Sequence, residues 1–268
     1  MEPGGTGGMN SDELLALFDR DQRRDVIYHG YRRERAPGIV RHVDLAGRRG
    51  FVLHSRLDAA NVEGAIRDQI ESFARLGQSF EWKAYEHDPP ADLKARLAAH
   101  GLRAEAPEAI LVLDLASAPA ALLRPATHDV RRVTGPDQMA ERVSIQARVW
   151  NEDRGWLGDQ LAAELRHDPE SLGVYLVYDQ GVPAGSAWMR TARGGPFAGL
   201  WGGSILPEHR RRGLYASLIA ARAQEALHRG ARYLTVDVCA MSRPILERIG
   251  FAQLTGAQGY VWEPVPGA

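Results

Sequence analysis

The sequence predicts an α/β fold of the α+β kind, in which helices flank a mixed and twisted sheet, and it predicts two such units. One observation is that apolar, strand-like runs alternate with segments of helical spacing along most of the chain. A second is the apolar run 200–206, which passes through Pro207 and a basic turn into a long helical segment. A third is an order of helix, strand, helix, Gly-apolar pair and strand that occurs twice, over residues 59–115 and 214–262, and predicts a weak internal duplication.

The overall composition is that of an ordinary globular protein. Of 268 residues, 44% are apolar and 25% charged, which is enough for one large or two medium domains. Lys and Arg number 33 against 34 Asp and Glu, so a formal charge of -1 gives no general attraction to nucleic acid or to an anionic membrane. The start lacks the features of a signal peptide, and no apolar run approaches the roughly 20 residues of a membrane span. We therefore expect a cytoplasmic protein without a membrane partner.

Cysteine and histidine usage argues against a metal site and against disulfides. Cys239 is the single cysteine, which excludes an internal disulfide and a cysteine-rich zinc site. The nine histidines show no metal-ligand spacing, so no metal is expected. With no histidine near it in sequence, Cys239 is expected to be a small buried residue rather than a nucleophile.

The first half contains the signals of a small mixed α/β unit. The glycine-rich residues 1–10 are expected to be disordered, and Ser11 can cap a helix that runs to residue 18. The pattern then predicts, in order, a hairpin of strands 39–45 and 51–57, a helix 59–76, a strand 80–85, a helix 91–100 and a strand 109–115.

The second half begins after a segment rich in proline and small residues. Residues 119–126, with Pro119 and Pro125, are predicted to be a linker, so that the domains are 11–118 and 127–268. The pattern after the linker predicts a strand 130–133, helices 137–149 and 157–166, a hairpin of strands 174–178 and 183–191, a strand 197–206, a helix 214–229 and a buried parallel strand 233–238. In helix 214–229 an apolar stripe that ends with Ala226 and Leu227 is expected to face the sheet, and Arg222 to face away.

The junction between the strand and the helix, at residues 210–215, is predicted to be an anion cradle. The first backbone N–H groups of a helix have no intrahelical partner and point together, with the positive end of the helix dipole behind them. The dipole offers roughly 0.3–1 kcal/mol, whereas each charge-assisted hydrogen bond to an ionised oxygen is worth roughly 1.5–3 kcal/mol, so the amides dominate. Gly213 would let the backbone approach the ligand closely. The alternative is an ordinary strand, turn and helix with a solvated basic turn.

Two motifs carry a resemblance to a known family. The run Arg210-Arg211-Arg212-Gly213-Leu214-Tyr215 resembles the acetyl-CoA signature Arg/Gln-x-x-Gly-x-Gly/Ala of the GCN5-related N-acetyltransferases (GNAT), preceded by the usual apolar-x-Pro-Glu. Tyr215 departs from that signature. Residues 233–237, followed by 244–251 with its final Gly-Phe, resemble the next strand and short helix of the family. The resemblance spans residues 127–268.

The first half lacks a second cradle, because Asp58 stands where a phosphate would need to lie and no glycine is present there. The chain is thus similar to tandem GNAT proteins in which one half has lost its cofactor site, and residues 11–118 are interpreted as the degenerate half. The alternative is an unrelated α+β domain.

The resemblance implies acetyl-CoA as co-substrate and assigns it a set of contacts. Backbone groups at Ile205 and Leu206 would bind the pantetheine amides as an added strand does. The remaining predicted contacts are Arg210, Arg211, Arg212, Gly213, Leu214, Tyr215 and Ser242. The strands are expected to separate near Leu206 to admit the pantetheine arm, and a strand-edge N–H near Ile205 to stabilise the oxyanion.

The catalytic acid and the catalytic base each have several candidates in the sequence. The family often places a tyrosine, as thiolate partner, four residues before the glycine of Gly-Phe, and this chain has Leu246 there. Ser242, Cys239, Tyr215 and Tyr260 remain as substitutes, each of them otherwise a structural residue or a minor cofactor contact. Asp237 and Glu152 are the candidate bases, and a capping or solvated carboxylate is the alternative for both.

The expected activity is transfer of an acetyl group, or another acyl group, from acetyl-CoA to an amine of a small molecule or peptide, directly within a ternary complex. Four tryptophans near the predicted acceptor pocket suit an apolar acceptor or act as core residues, namely Trp150, Trp156, Trp188 and Trp201. The alternative function is a CoA-binding sensor or interaction protein, and a homodimer is left open. A nucleic-acid contact is disfavoured by the near-neutral charge.

Overall fold

The computed structural model describes residues 9–153 and 155–264. The chain divides into two compact units, one built from the chain up to Ala109 together with the chain from Leu254, and the other from Ile110–Gln253. This division differs from the predicted domains 11–118 and 127–268, because the last strand of the chain pairs within the first unit. Residues 1–8 of the segment predicted to be disordered lie outside the described residues, and Asn10, not Ser11, caps the first helix.

The first unit contains a mixed sheet and three helices. Its elements are α1 (Ser11–Phe18) with a π-helical continuation (Asp19–Arg24), β1 (Tyr31–Ala36), β2 (Ile39–Asp44), β3 (Arg49–Ser55), α2 (Val62–Arg75), β4 (Ser79–Tyr85) and α3 (Leu93–Ala99). The strand β5 (Arg103–Asp114) leads from this unit into the second, and β11 (Ala252–Trp262) returns to it. The predicted hairpin, both helices and the strand at 80–85 are confirmed within a few residues.

The strand order in the first unit is β1, β2, β3, β4, β11. The pairs β1–β2, β2–β3 and β4–β11 are antiparallel, whereas β3 and β4, which the helix α2 connects, are parallel. A core that includes Val52, Ile66, Phe73 and Trp82 packs between α2 and the sheet. The sequence pattern did not predict β1, because this edge strand is mostly charged and has no apolar alternation.

The second unit repeats this arrangement with additional helices. Its elements are two 3₁₀ turns (Leu115–Ser117 and Pro207–His209), α4 (Ala120–Leu123), β6 (Asp129–Arg132), α5 (Pro136–Trp150), α6 (Gly155–His167), β7 (Leu172–Asp179), β8 (Val182–Thr191), β9 (Phe197–Ile205), α7 (Leu214–His228), β10 (Tyr233–Val238) and α8 (Arg243–Ile249). In the described part of the chain no helix has the length and apolarity needed to cross a membrane.

The strand order in the second unit is β10, β9, β8, β7, β6. Only β9 and β10 are parallel, and the other pairs are antiparallel. Both units therefore contain three consecutive antiparallel strands, a helix, a parallel strand and a short helix, in that order. The internal repeat covers more of the chain than the sequence order of elements indicated, because it also includes the meander before the helix.

The helix α7 packs on the sheet of the second unit, and one of its charged residues is buried. The predicted apolar stripe is buried except for Leu227. Arg222 was predicted to face away from the sheet, and this is wrong, since its exposed fraction is 1%. Its guanidinium donates to the carbonyls of Leu218 and Trp188, and burial lowers the pKa of Arg222 to about 10. The long Arg222 side chain can therefore lie on the sheet side of the helix, because its guanidinium reaches two backbone carbonyls there.

The predicted linker 119–126 is not a free connection. Residues 120–123 form α4, whose Leu122 is buried. Gln224 of α7 donates from Nε2 to the carbonyls of Leu122 and Arg124 at 3.3 and 2.6 Å. The prolines at either end limit this segment to one helical turn, but its apolar side chains still dock on α7.

Candidate functional site

A cleft opens where two parallel strands stop pairing. The pairing of β9 with β10 covers residues 197–199 and 233–235 and ends at Gly199 and Thr235. The strand β9 nevertheless continues to Ile205 and β10 to Val238. The strands thus separate earlier in β9 than the predicted position near Leu206, and the edges that face the cleft are left to pair with something other than the opposite strand.

A β-bulge bends β9 beside this cleft. The register of β8 and β9 shifts so that Ala187 alone opposes both Gly202 and Gly203. Gly202 has φ +56°, and a Cβ there would lie 1.7 Å from the ring of Trp188. Since a side chain fits neither the backbone angle nor the space, this position requires glycine. The bulge therefore interrupts the hydrogen bonding between β8 and β9 beside the cleft.

A polar network fixes the bulge from the side of α5. The Nε2 of the buried Gln146 lies 2.9 Å from the Gly202 carbonyl oxygen and 3.1 Å from the hydroxyls of Ser186 and Ser204, so its two N–H groups are shared among three acceptors. Trp150 donates from its indole nitrogen to the Ser204 hydroxyl at 3.2 Å. The helix α5 is thereby held to both strands of the bulge. Sequence reasoning missed Gln146, because nothing in the pattern distinguishes it from any other polar residue of a helix.

The turn before α7 has the backbone geometry of an anion cradle. Arg211 has φ 62° and Gly213 has φ 85°, both in the left-handed region. Gly213 is the N-cap of α7, and no side chain caps this terminus. The first N–H groups of α7 are thus available to an anion, as expected from the sequence. A Cβ on Gly213 would lie 3.2 Å from Cε1 of His128, so the close approach also depends on glycine.

Two of the three arginines in the turn form hydrogen bonds that connect the turn to neighbouring strands. Arg212 donates to Oδ2 of Asp179 at 2.7 Å, and His209 lies 2.7 Å from the same oxygen through Nδ1. Arg210 donates from Nε to the carbonyl of Ile205 at 3.2 Å. Arg211 is exposed and takes part in no ion pair within residues 9–153 and 155–264, so it is the arginine best placed to meet an anion. Arg210 and Arg212 thus also hold the turn, and their predicted contacts with the cofactor stay predictions.

Asp179 and His128 belong to the site and were missed by sequence reasoning. The hydrogen bond from His209, opposed by burial and aided by Arg212, lowers the pKa of Asp179. His128 lies 2.9 Å from the hydroxyl of Ser217 in the first turn of α7. Both residues reach the cradle from distant parts of the chain, so no local pattern could have pointed to them.

Ile205 and Leu206 differ in whether their backbone N–H groups are available to the amides of a pantetheine arm. Leu206 donates its N–H to the carbonyl of Ala184 at 2.9 Å, and its own carbonyl accepts from the N–H of His209. Because backbone groups alternate between the two edges of a strand, the N–H of Ile205 faces the opposite edge, that of the cleft. Ile205 fits the predicted backbone contact, whereas the N–H of Leu206 is already used in the sheet.

Tyr215, the departure from the family signature, lies on the wall of the cleft. Its side chain is half-buried, and a Cβ on Gly203 would lie 2.8 Å from Cε2 of its ring. Burial raises the pKa of Tyr215, while Arg222 lowers it and Cys239 raises it. The phenol therefore stays protonated at neutral pH beside the bulge of β9.

Cys239 and Ser242 lie at the end of β10. Cys239 is exposed, so the expectation of a buried thiol is wrong. Its Sγ lies 3.6 Å from the Ser242 hydroxyl, and hydrogen bonds from the side chain and backbone of Ser242 lower the pKa of the Cys239 thiol. The strand ends before this residue, so the thiol projects from a loop instead of into the sheet.

The two candidate bases occupy different elements. Asp237 is half-buried on β10 in the stretch beyond the pairing with β9, and Glu152 is exposed in the loop between α5 and α6. The neighbouring Asp153 accepts from the N–H of Gly155 at 2.8 Å and so caps α6. Asp237 thus borders the cleft, and the roles of both Asp237 and Glu152 stay predictions.

Three other residues that the sequence analysis considered make contacts typical of structural residues, namely Tyr260, Leu246 and Glu208. Tyr260 lies in the core of the first unit and donates its hydroxyl to Gln258 at 3.2 Å. Leu246 is fully buried in α8, so an apolar side chain occupies the position where the family often has tyrosine. Glu208 pairs with Arg148 in the turn after β9. Within the described chain no cluster of three or more His, Cys, Asp and Glu side chains is arranged to hold a metal ion.

The tryptophans predicted around the acceptor have different environments. Trp188 is buried against Gly202, and Trp201 packs at the edge of the same core. Trp150 and Trp156 are both 48% exposed. Trp150 reaches the bulge through Ser204, as described above, so three of the four lie at or beside the bulge.

Comparisons with known proteins agree with this architecture. Residues 137–251 match the model of the acetyltransferase (GNAT) family. A GCN5-related N-acetyltransferase from Kribbella flavida superposes with a TM-score of 0.67 at 19% identity, covering 96% of this chain and 95% of that one. A tandem GNAT protein from the clavulanic acid biosynthesis pathway gives a TM-score of 0.58 at 16% identity, covering 99% and 91%.

A further similar structure belongs to a functionally unknown conserved protein from Staphylococcus epidermidis, with a TM-score of 0.65 at 12% identity and coverage of 89% and 96%. No curated protein sequence matches the chain. At these identities the structural similarities establish the fold, including its extension over both units, and the matched family model covers the cradle and the cleft.

Proposed function

Since this chain carries a GNAT-family acetyltransferase domain over residues 137–251, we propose that it transfers an acetyl group from acetyl-CoA to an amine by direct attack in a ternary complex. The proposal rests chiefly on the uncapped start of α7, with Gly213 in the left-handed region. This helix start follows β9, whose pairing with β10 ends at Gly199. An anion site at the mouth of a strand-edge cleft suits a ligand with a pyrophosphate and an extended amide-bearing arm.

The donor would be held mainly by backbone groups. The N–H groups of the first turn of α7 bind the pyrophosphate, with Arg211 and His128 beside it. The edge of β9 at Ile205 pairs with the pantetheine amides. Bound acetyl-CoA supplies the thioester carbonyl as acyl donor. The bulge at Gly202 and Gly203 turns the strand edge at the level of the reacting carbonyl, where an N–H can stabilise the oxyanion.

Tyr215 is the group best suited to protonate the leaving thiolate. Of the substitutes for the missing tyrosine, it lies on the cleft wall, and burial keeps its phenol protonated. A neutral donor with a raised pKa gives up its proton only as negative charge develops on sulfur. Ser242 and Cys239 lie at the far end of β10 and are better read as neighbours of the donor.

Asp237 is our preferred base, and Glu152 the alternative. Asp237 lies on the stretch of β10 that borders the cleft, from which a carboxylate can take a proton from an ammonium group directly or through one water. Trp150 and Trp201 line the side of the bulge and suit an acceptor with an apolar or planar body. The acceptor class remains an amine of a small molecule or peptide.

Binding of the donor is tested by thermal denaturation. Acetyl-CoA should raise the melting temperature of the protein. The variant Gly213→Val should abolish that rise, because a β-branched residue is strained at φ 85° and its side chain meets His128. Gly213→Ala adds a smaller side chain and should reduce the rise less than Gly213→Val does. Each variant is compared with its own ligand-free melting curve. An undiminished rise in Gly213→Val would overturn the placement of the cradle.

A CoA-binding sensor with little catalytic activity is the alternative. The buried Leu246, which removes the usual position of the catalytic tyrosine, favours it. Release of free CoA thiol in the presence of an amine panel distinguishes the two functions, because a sensor binds the donor without consuming it. Thiol release that needs an amine supports the enzyme, and failure over a broad panel together with tight acetyl-CoA binding supports the sensor.

A further inference from the structure

A second cavity lies wholly within the first unit. Its volume is about 440 Å³, which is in the range of pockets for small metabolites. It is bordered by the end of β3, by the loop that follows β4 and by the π-helical segment Asp19–Arg24. This cavity is separate from the cradle and the cleft of the second unit, and the proposed acetyl transfer makes no use of it.

The cavity lies where β3 and β4 stop pairing. Their parallel pairing ends at Val52 and Trp82, although β3 continues to Ser55 and β4 to Tyr85. The strands β9 and β10 show the same behaviour at the acyl-donor cleft. The cavity is therefore the counterpart, in the first unit, of the site proposed for acetyl-CoA in the second.

The buried Arg23 closes the gap between the two strands. Its exposed fraction is 1%, and its guanidinium donates to the Leu53 carbonyl at 2.9 Å and to both carboxylate oxygens of Asp88 at 2.6 and 2.8 Å. It also lies 3.8 Å from the centroid of the Tyr85 ring. These contacts join β3 to the end of β4 across the separation, so the strand edge that would bind a pantetheine arm is already occupied.

The start of α2 is also unsuited to a phosphate. Asp58 accepts at Oδ1 from the N–H groups of Ala60 and Asn61 at 2.9 and 3.0 Å. A carboxylate of the chain itself therefore occupies the place of an anion before this helix. Together with Arg23, this gives a physical reason for treating the first unit as degenerate toward acetyl-CoA.

The lining of the cavity is rich in arginine. Four arginines and two aspartates line it, and Asp21 and Asp25, just outside the lining, pair with two of those arginines, so Arg56 is the lining arginine without an ion pair among the described residues. Both aspartates, Asp19 and Asp88, are engaged by Arg23. Arg20 and Arg24 pair with Asp21 and Asp25 at the surface, and such exposed pairs hold their charges weakly.

Arg56 and Ser55 add unused hydrogen-bonding groups. Arg56 is exposed on the rim and takes part in no ion pair within the described residues. Ser55 borders the cavity with an exposed fraction of 3%, and its hydroxyl has no hydrogen-bond partner in the described part of the chain. A buried hydroxyl without a partner is unfavourable, and a ligand oxygen or a water next to Ser55 would relieve this.

The π-helical segment shapes the cavity. Its wider turn follows α1 without a break and brings Asp19, Arg20, Arg23 and Arg24 to the same side, toward the cavity. Short π-helical insertions are rare and are frequent at functional sites. Here the insertion lets one helical segment provide both the buried Arg23 and two arginines on the rim.

We propose that this cavity binds a small metabolite through an oxyanion group, a carboxylate or a phosphate ester, held by Arg20, Arg24 and Arg56. The planar guanidinium groups match either oxyanion in a two-pronged arrangement. The ligand is distinct from the acyl donor, because Arg23 and Asp58 exclude the donor from this unit. The first unit would thus be a binding module in which the gap between β3 and β4 binds a smaller anion instead of an acyl donor.

The test uses the full chain with the cradle disabled, so that anion binding in the second unit does not contribute. Inorganic phosphate and citrate are titrated separately by calorimetry into Gly213→Val protein and into the same protein with Arg56→Gln. The matched control is Arg67→Gln, an exposed arginine of α2 away from the cavity. We expect one of the probes to bind, Arg56→Gln to weaken it by about tenfold or more, and Arg67→Gln to leave it unchanged.

If phosphate alone binds, the natural ligand is assigned as a phosphate ester, and if citrate alone binds, it is assigned as a carboxylate.

A second measurement avoids the Gly213 variant, whose backbone is strained by the substitution. In otherwise native protein saturated with CoA, the imidazole NMR signals of His54 and His87 should shift on addition of the bound probe, and less so in Arg56→Gln. Absence of binding by both probes, or equal binding with and without Arg56, would overturn the proposal even if acetyl-CoA binding is confirmed.

Discussion

Tyr215 stands where the family signature has glycine or alanine, and its ring lies against Gly203 of β9. We predict that Tyr215→Phe lowers kcat by about 100-fold, because it removes only the hydroxyl that protonates the thiolate. The melting-temperature rise with acetyl-CoA should stay close to that of the wild type, since the ring is retained. Steady-state thiol release measures the first effect, and an unchanged kcat would remove Tyr215 from the mechanism.

The exposed Cys239 allows a chemical test of the cleft. Hydrogen bonds from Ser242 lower the pKa of this thiol, so the reactive thiolate persists to lower pH than in an ordinary cysteine. Iodoacetamide should therefore alkylate the native protein with a pH midpoint below that of free cysteine, and Ser242→Ala should raise the midpoint. Acetyl-CoA should slow the reaction if the donor passes the end of β10. Mass spectrometry after timed quenching gives the rates, and protection by acetyl-CoA equal to that by an unrelated nucleotide would count against this placement of the donor.

Among the secondary-structure elements, the hairpin of β7 and β8 supports the turn before α7. Asp179 at the end of β7 holds both His209 and Arg212. We predict that Asp179→Asn lowers acetyl-CoA affinity by about threefold to tenfold, because the turn loses charge-assisted bonds without losing any residue of the cradle. Calorimetry with acetyl-CoA measures this, and Asp129→Asn, on the exposed neighbouring strand β6, is the matched control. Equal affinity in the two variants would show that the hairpin does not position the turn.

The strand–turn–helix element was predictable, because its determinants are local. The apolar run, Pro207, Gly213 and the helical spacing lie within one stretch of chain, and the structure confirms the predicted helix start and adds that Gly213 is left-handed. The roles of Arg210 and Arg212 were not predictable in the same way. Their partners, Asp179 and the carbonyl of Ile205, depend on the folded positions of β7 and β9, which the basic motif does not contain.

The stability of the molecule depends on a buried ion network in the first unit. Arg23→Met would leave the buried carboxylate of Asp88 without its cation, so we predict a loss of about 3–5 kcal/mol in the free energy of unfolding. The double variant Arg23→Met with Asp88→Asn should recover part of this loss. Denaturant unfolding of the full chain, followed by circular dichroism, provides the values. A single variant as stable as the wild type would show that the network is not stabilising.

The same network should make the protein sensitive to acid. Burial opposes ionisation of Asp19, but hydrogen bonds and charge from His87 and Arg23 outweigh it and lower its pKa below the ordinary value of 3.8. A carboxylate with a lowered folded pKa stabilises the fold above its unfolded pKa and loses this contribution as the pH falls through the folded pKa. The contribution of Asp19 should thus be complete above about pH 5 and should decline as the pH falls below 3.8 toward the lower folded pKa. Comparing Asp19→Asn with the wild type across this range measures it.

The features that could be determined from the sequence are those that depend on neighbours along the chain. The periodicity of most helices and strands, the turn with Gly213 and the acidic Asp58 before the second helix are all properties of short stretches, and together they led to the α+β fold and to the GNAT resemblance of the second half. Only folding decided where β9 leaves β10, that Arg222 is buried and Cys239 exposed, that the last strand joins the first unit, and that Arg23 bonds to both the Leu53 carbonyl and Asp88. These features depend on residues far apart in sequence whose packing and charges become adjacent only in the tertiary structure.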